Sequence, residues 1–285
     1  MIEDGEVRLR RAEPADLDFL VELMTHDDVE PYMAVVRPRD REGLTAEIER
    51  SQAEPQEFGR FVIEVDGRPA GLMGFDVANR RSRIASLGSL AVHPDFRGQR
   101  LADRAARLFQ RHLIFDLGYH RLQLEIYGFN ERAQRHAERV GFTNEGVRRK
   151  AYWRHGEWMG GVLYALIRDD LNVPDAIALL HDYVMVHNEC VRTGDWEPLA
   201  DWFTEDAKLV FEGVPVGPFE GRESIAAAYR AQPPDDEVVI FAAEEEERRL
   251  VARYGWLREP GNEAGRMLLT PRNGKIERLI VTFDE

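Results

Sequence analysis

The sequence predicts two domains in tandem: an α/β domain with a mixed sheet over residues 1–170, then an α+β domain over residues 175–285. Three observations carry this. Strand and helix patterns alternate up to residue 168. A polar stretch ending in proline, Asp169-Asp170-Leu171-Asn172-Val173-Pro174, then breaks the pattern. Beyond it, helices come first and a run of antiparallel strands follows. The charge divides at the same place. Residues 1–173 carry a net −3 and residues 174–285 a net −11 of the total −14. With 285 residues, 44% of them hydrophobic, two cores of ordinary size can be filled.

In the first domain, residues 7–11 form a short strand. Asp16 is placed to cap a helix whose apolar face is Leu17, Leu20, Val21 and Met24. A second helix is expected over residues 40–51. Between them, Glu30-Pro31-Tyr32-Met33 is a loop able to overhang a cleft. Asp66-Gly67 between two apolar runs predicts a hairpin. Residues 83–92 form the next strand, which turns at His93-Pro94-Asp95. A helix then opens at Leu101, with an apolar face at Leu101, Ala105, Leu108, Phe109 and Leu113. Residues 121–126 read as a buried strand, and residues 130–140 as a helix stopped by Gly141. Residues 143–152 and 158–167 are the last strands, joined around His155-Gly156-Glu157.

A strand, a tight turn and a helix N-terminus together make an anion site. The first N–H groups of a helix lack partners, and its dipole favours negative charge there. Gly98 permits close backbone approach, and Arg97 and Arg100 add fixed charge. The endings of a Walker loop and of a dinucleotide fingerprint are both missing. Residues 90–102 resemble motif A of the GNAT acetyltransferases, whose Arg/Gln-x-x-Gly-x-Gly/Ala pattern cradles the pyrophosphate of acetyl-CoA. Arg97 and Ala102 match its ends, and Arg100 replaces its middle glycine. Leu124-Glu125-Ile126, Asn130, Ala133 and Gly141-Phe142 resemble motif B. With Glu145-Gly146 and the closing hairpin, residues 6–168 look most like the ribosomal-protein N-terminal acetyltransferase branch.

That resemblance implies the GNAT fold and acetyl-CoA as acyl donor. It implies that the backbone of Leu90, Ala91 and Val92 holds the acetyl carbonyl and pantetheine. It places Arg97, Gly98, Gln99, Arg100, Leu101 and Ala102 at the pyrophosphate and Asn130 on the pantetheine arm, although Asn130 also suits a helix N-cap. It makes Glu125 the general base. The acid of that branch is a helix tyrosine, whose position here is Ala137. Tyr152, on the closing hairpin, is the phenol that can replace it.

In the second domain, Ile177, Leu180, Val184, His187 and Val191 recur at helical spacing. Residues 199–203 read as helical, residues 204–207 as a turn and residues 208–211 as a strand. A helix through Tyr229 and four strands follow, the last two joined at Asn273-Gly274. Gly194-Asp195, Phe203-Thr204-Glu205-Asp206-Ala207 and Gly221-Arg222-Glu223-Ser224-Ile225 resemble the nuclear-transport-factor-2-like, or SnoaL-like, cone fold. Function does not follow from that fold. Isomerases of the cone fold use a tyrosine and an aspartate at positions that are His187 and Phe211 here, so their chemistry is not implied. His187, Trp196, Phe211, Tyr229, Tyr254 and Trp256 form either a pocket or an aromatic core.

Acetyl transfer to an amine needs a polarised carbonyl, a neutral nitrogen and a stabilised thiolate. The reading is therefore an acetyl-CoA-dependent N-acetyltransferase fused to a cone domain. Its acceptor is a primary amine, either a protein N-terminus or a small molecule. The alternative is an acyl-CoA-sensing half whose cone domain binds a ligand or dimerises, or a fusion whose cone acts on a small hydrophobic substrate. The second-domain sheet is the candidate homodimer surface. The acidic balance argues against nucleic acid. The single cysteine, Cys190, excludes an intramolecular disulfide and reads as a buried, inert thiol. Without an apolar signal core or a membrane-spanning run, a cytoplasmic chain without membrane contact is expected. His93, His112, His120, His136 and His155 lack metal-ligand spacing, and no metal is assigned.

Overall fold

The computed structural model describes residues 2–33, 40–259 and 261–284, in two compact units. The first takes the chain up to Ile114 together with Tyr119–Leu171. The second takes Phe115–Gly118 and the chain from Asn172 onward. No described helix is long and apolar enough to cross a membrane.

The first unit opens with a hairpin of β1 (Ile2–Asp4) and β2 (Val7–Arg11). The helices α1 (Leu17–Thr25) and α2 (Arg41–Ala53) follow. Asp40 caps α2, accepting from the Gly43 N–H at 2.8 Å. Asp16, by contrast, does not cap α1. Its carboxylate is taken by the Arg10 guanidinium at 2.6 and 2.7 Å and by the Glu13 N–H at 2.8 Å. A two-pronged charged bond outcompetes a single capping bond. β3 (Phe58–Val65) and β4 (Arg68–Asn79) join through Asp66 and Gly67, at φ 49° and 73°. Positive φ at both positions is what a tight hairpin turn requires.

β5 (Ile84–Val92), α3 (Leu101–Arg111), β6 (Arg121–Tyr127), α4 (Glu131–Arg139), β7 (Thr143–Arg154) and β8 (Glu157–Ile167) complete this unit. The sheet order is β1-β2-β3-β4-β5-β6-β8-β7, with only β5 and β6 parallel. Alternate side chains serve opposite faces. Phe61 and Phe75 meet Phe109 of α3 on one face, with ring centroids 5.0 and 6.1 Å apart. On the other face, Val62, Leu72 and Ala91 join a cluster with Leu20, Leu44 and Ile48 of α1 and α2. Trp153 and Trp158 face each other across the β7–β8 hairpin, with ring centroids 5.5 Å apart, and both are exposed.

The second unit contains α5 (Asp175–Thr193), α6 (Glu197–Ala200), β9 (Phe203–Glu212), β10 (Phe219–Glu220), α7 (Arg222–Ala231), β11 (Val238–Glu246), β12 (Arg249–Trp256), β13 (Gly265–Arg272) and β14 (Lys275–Thr282). Its sheet order is β10-β9-β14-β13-β12-β11. Two expectations are corrected here. The helix expected over residues 199–203 ends at Ala200, and residues 204–207 lie within β9 instead of a turn. Phe203 is fully buried and pairs with Ile276, so tertiary pairing overrides the local signal. The strand run is also not wholly antiparallel, because β9 pairs with β14 in parallel. The core gathers Phe115, Leu180, Tyr183 and Cys190, and burial pushes the Cys190 thiol up. Asn188 clamps α5 to β11. Its Nδ2 donates to the Val238 carbonyl and its Oδ1 accepts from the Val238 N–H, both at 2.8 Å.

Candidate active site

The site of the first unit begins with a split in its sheet. β5 and β6 pair at three positions, from Ile84–Arg121 to Ser86–Gln123. Both strands continue beyond that point, to Val92 and Tyr127. The expectation of a buried strand at residues 121–126 is therefore corrected: only Leu122 of β6 is buried, because β5 no longer covers the rest. On its other edge β5 carries a bulge. Ser89 and Leu90 oppose the single residue Met73, and Ser89 adopts φ 59°. Along residues 87–92 the backbone groups facing β6 make no ladder bonds with it.

α3 begins at the mouth of this split. Its entry turn uses Gly98 at φ 88° and Arg100 at φ 54°. A Cβ added at Gly98 would meet nothing within 4 Å, so the turn is open to an incoming group. A cavity of about 640 Å³ runs from Leu90, Ala91 and Val92 to this turn and to the start of α4. Arg97, Gly98, Arg100, Leu101, Ala102 and Asn130 also line it. Gln99 is not among its described lining residues.

Asn130 caps α4, its Oδ1 accepting from the Ala133 N–H at 3.1 Å. Arg97 is engaged within the protein. Its Nη1 donates to Asp28 Oδ2 at 3.3 Å and its Nη2 to the Asp28 carbonyl at 3.2 Å. The guanidinium groups of Arg100 and Arg132, both on the lining, have no hydrogen bond or ion pair among the described residues. An open glycine turn, unpaired strand backbone and two uncommitted guanidinium groups fit a diphosphate with an extended arm.

The sequence reading did not single out the basic row of α4. Arg132, Arg135, His136 and Arg139 all line the cavity. Their spacing of three and four residues was the available signal. His136 and Arg139 both bind Asp103 of α3, at 2.8 and 3.0 Å. Arg139, then His136, holds the Asp103 carboxyl down to about 2. Burial lowers the affinity of His136 for its proton, against the pull of Asp103.

On β6, Glu125 and Tyr127 point away from α4. Leu124 pairs with Tyr164, whose hydroxyl donates to Glu138 of α4, so the alternate residues take the other face. Glu125 Oε2 accepts from Arg148 Nη1 at 2.9 Å. Glu125 Oε1 is buried and has no hydrogen bond. Tyr152 lies beside it. Burial first, and then the Glu125 carboxylate, push the Tyr152 phenol up to about 12. An aromatic wall leads from this pair to the cavity. Tyr152 packs edge-on against Tyr127 at 5.0 Å, and Tyr127 stacks on Phe129 at 5.5 Å. Phe129 and Tyr32 approach at 6.1 Å, and both line the cavity. Glu125 and Tyr152 are not among its described lining residues and stand one aromatic layer behind. Ala137 is buried in α4, so residue 137 adds no phenol and the hairpin brings the one near Glu125.

In the second unit, His187, Trp196, Tyr229 and Tyr254 are buried together in the core. Trp196 stacks on Tyr229 at 5.2 Å, and the Tyr229 and Tyr183 hydroxyls are 2.9 Å apart. Phe211 and Trp256 pack partly exposed at its margin. Burial lowers the His187 imidazole to about 4.

A split parallel strand pair, a strand bulge and a glycine-opened helix N-terminus frame the site, and similarity to known enzymes gives the first unit's class as an acetyl-CoA-dependent N-acetyltransferase. Residues 6–143 match the Acetyltransferase (GNAT) domain family, and residues 175–244 match the SnoaL-like domain family. The chain thus joins a GNAT acetyltransferase domain to a SnoaL-like domain. Spermidine N(1)-acetyltransferase of Escherichia coli K12 is 28% identical over 162 residues, 55% of this chain and 83% of that protein. Two solved structures share the fold of the first unit. One is the Vibrio cholerae spermidine N-acetyltransferase in complex with CoA and spermine, at TM-score 0.54 and 18% identity, covering 59% of this chain and 98% of that one. The other is the RimL ribosomal L7/L12 alpha-N-protein acetyltransferase in complex with coenzyme A, at TM-score 0.53 and 19% identity, covering 59% and 97%.

Proposed function

We propose that the first unit acetylates a primary amine with Glu125 as general base and Tyr152 as general acid. The observation that carries this reading is the pairing of a buried, unpartnered carboxylate oxygen with a phenol kept protonated, at the end of the aromatic wall. Acetyl-CoA supplies the acetyl group as a thioester. The edge of Leu90, Ala91 and Val92 that is not paired with β6 receives the pantetheine arm and polarises the carbonyl, with Asn130 bordering the arm. Gly98, Leu101 and Ala102 offer the turn and the helix N-terminus to the pyrophosphate. Arg100 and Arg132 supply its counter-charge, with Arg97 and Gln99 flanking the turn.

Glu125 Oε1 takes the first proton of the arriving ammonium and passes it to solvent. The nitrogen then bonds to the acetyl carbon as the carbon–sulfur bond breaks. The second nitrogen proton reaches sulfur by way of the Tyr152 hydroxyl. One proton is released per turnover, which balances an ammonium against an amide and a thiol.

A wall of Tyr32, Phe129, Tyr127 and Tyr152 ending at a carboxylate suits an aliphatic ammonium. Spermidine and a short peptide with a free N-terminus, the acceptor types in the relatives' names, are the first amines to try. In the second unit, the aromatic packing around His187 supports a binding or assembly role over catalysis. The test is thiol release from acetyl-CoA across an amine panel, for wild type and Glu125→Gln. Turnover of the variant should fall by roughly 10²–10⁴, with acetyl-CoA affinity by calorimetry unchanged. A variant with full activity would leave Glu125 a bystander.

A further inference from the structure

Glu125 is a flexible side chain with 21% of its surface exposed, yet one of its oxygens is fully buried and unpartnered. A carboxylate left to itself would turn both oxygens toward water or a donor, because a buried lone pair without a donor is costly. Two neighbours account for the orientation. On β7, Arg148 Nη1 holds Oε2 at 2.9 Å. On β8, Gly161 leaves the space that Oε1 occupies. A Cβ at Gly161 would lie 2.0 Å from Glu125 Oε1 and 2.8 Å from the Tyr152 ring. Gly161 pairs with Tyr127 on one side and with Arg148 on the other, so the sheet fixes all of these at one height.

We propose that Arg148 and Gly161 are positioning residues for the acetyl transfer: Arg148 clamps one oxygen of Glu125, and Gly161 makes the slot that aims the other at the acceptor amine. The inference rests on Glu125 being the base. The charged and titratable groups facing Glu125 are Arg148 and Tyr152 of β7 and Tyr127 of β6, with the Arg154 guanidinium 5.3 Å from the Tyr127 ring centre. β8 contributes Gly161 and Leu163 there, neither of them ionisable. Arg148 is therefore the cation in direct contact with the base. Arg148 itself lies on the sheet's edge strand with 59% of its side chain exposed, so its removal leaves the fold intact.

The experiment compares wild type, Arg148→Ala, Arg148→Lys, Gly161→Ala, Glu125→Gln and the double variant Glu125→Gln/Arg148→Ala in the full chain, with one accepted amine across pH. Arg148→Ala should lower kcat about tenfold, with the KM for acetyl-CoA unchanged. Arg148→Lys should restore most of kcat, because a charged donor to Oε2 returns. Gly161→Ala should lower kcat as Arg148→Ala does. In the Glu125→Gln background, losing Arg148 should cost nothing further, since residues acting as a unit are not additive. A slow Glu125→Gln enzyme beside an unaltered Arg148→Ala enzyme would overturn this inference alone. So would an equal Arg148→Ala loss in both backgrounds. A fully active Glu125→Gln enzyme would instead remove the base, and this inference with it.

Discussion

Arg100 and Arg132 illustrate how little of the proposed phosphate site resides in any one residue. Arg100 stands where the family motif has a glycine, and it adopts φ 54° at the N-terminus of α3. Arg132 comes from α4, thirty-two residues later, and meets the same cavity. Each is a fixed cation with a forked donor, and neither is tied to a carboxylate among the described residues. Replacing both by alanine should weaken acetyl-CoA far more than a pantetheine thioester lacking phosphates. Calorimetry with the two ligands reads the difference, and equal losses for both would take the phosphates away from this turn. Arg97 is less informative as a single change, because its guanidinium already binds Asp28. The sequence exposes Arg97 and Arg100 through the motif. It shows Arg132, Arg135, His136 and Arg139 only as a spacing, since nothing local says which way a helix face will turn.

At the scale of elements, what was legible is what is local. Asp66-Gly67, His155-Gly156 and Asn273-Gly274 each supply positive φ at adjacent positions, and each closes a hairpin. The cap of α2 by Asp40 is likewise written in neighbouring residues. The divergence of β5 from β6 is not, because their pairing joins residues 37 apart in sequence. Phe203 departs from its local signal for the same reason, as its partner Ile276 lies at the far end of the domain. Asn188 is a third case of distant pairing. Its amide satisfies both backbone groups of Val238 at the start of β11. Asn188→Ala strands a buried N–H and a buried C=O, each worth about 1–3 kcal/mol. Thermal melting should therefore show a loss of about 2–6 kcal/mol, well above that of an exposed Asn→Ala change. A loss below about 0.5 kcal/mol would mean that water replaces the clamp.

Across the whole molecule, the two units should respond differently to acid. His187 is held near 4 by burial inside the second unit, against 6.5 for a free imidazole. The unfolded chain therefore binds the extra proton between those values, and stability must fall as pH drops through that window. The full effect, below pH 4, is about 3 kcal/mol; above about 6.5 it is absent. Melts of the full chain between pH 4 and 7 should show this slope in the second unit's transition. His187→Gln should flatten it, and an unchanged slope would point to another group. Such a measurement needs a signal for each unit, and the tryptophans provide one. All five are divided by kind: Trp153 and Trp158 are the first unit's only indoles, and Trp196, Trp202 and Trp256 belong to the second. The first two are exposed and edge-to-face on the hairpin that carries Tyr152, whereas Trp196 is sealed in an apolar core. The chain's emission thus includes a long-wavelength, readily quenched component from the hairpin, a blue, protected one from Trp196 and a third from the half-buried Trp202 and Trp256. Acrylamide removes the first and leaves the second. An amine that binds as proposed, on the wall of Tyr127 and Tyr152, should change the hairpin's share of that emission.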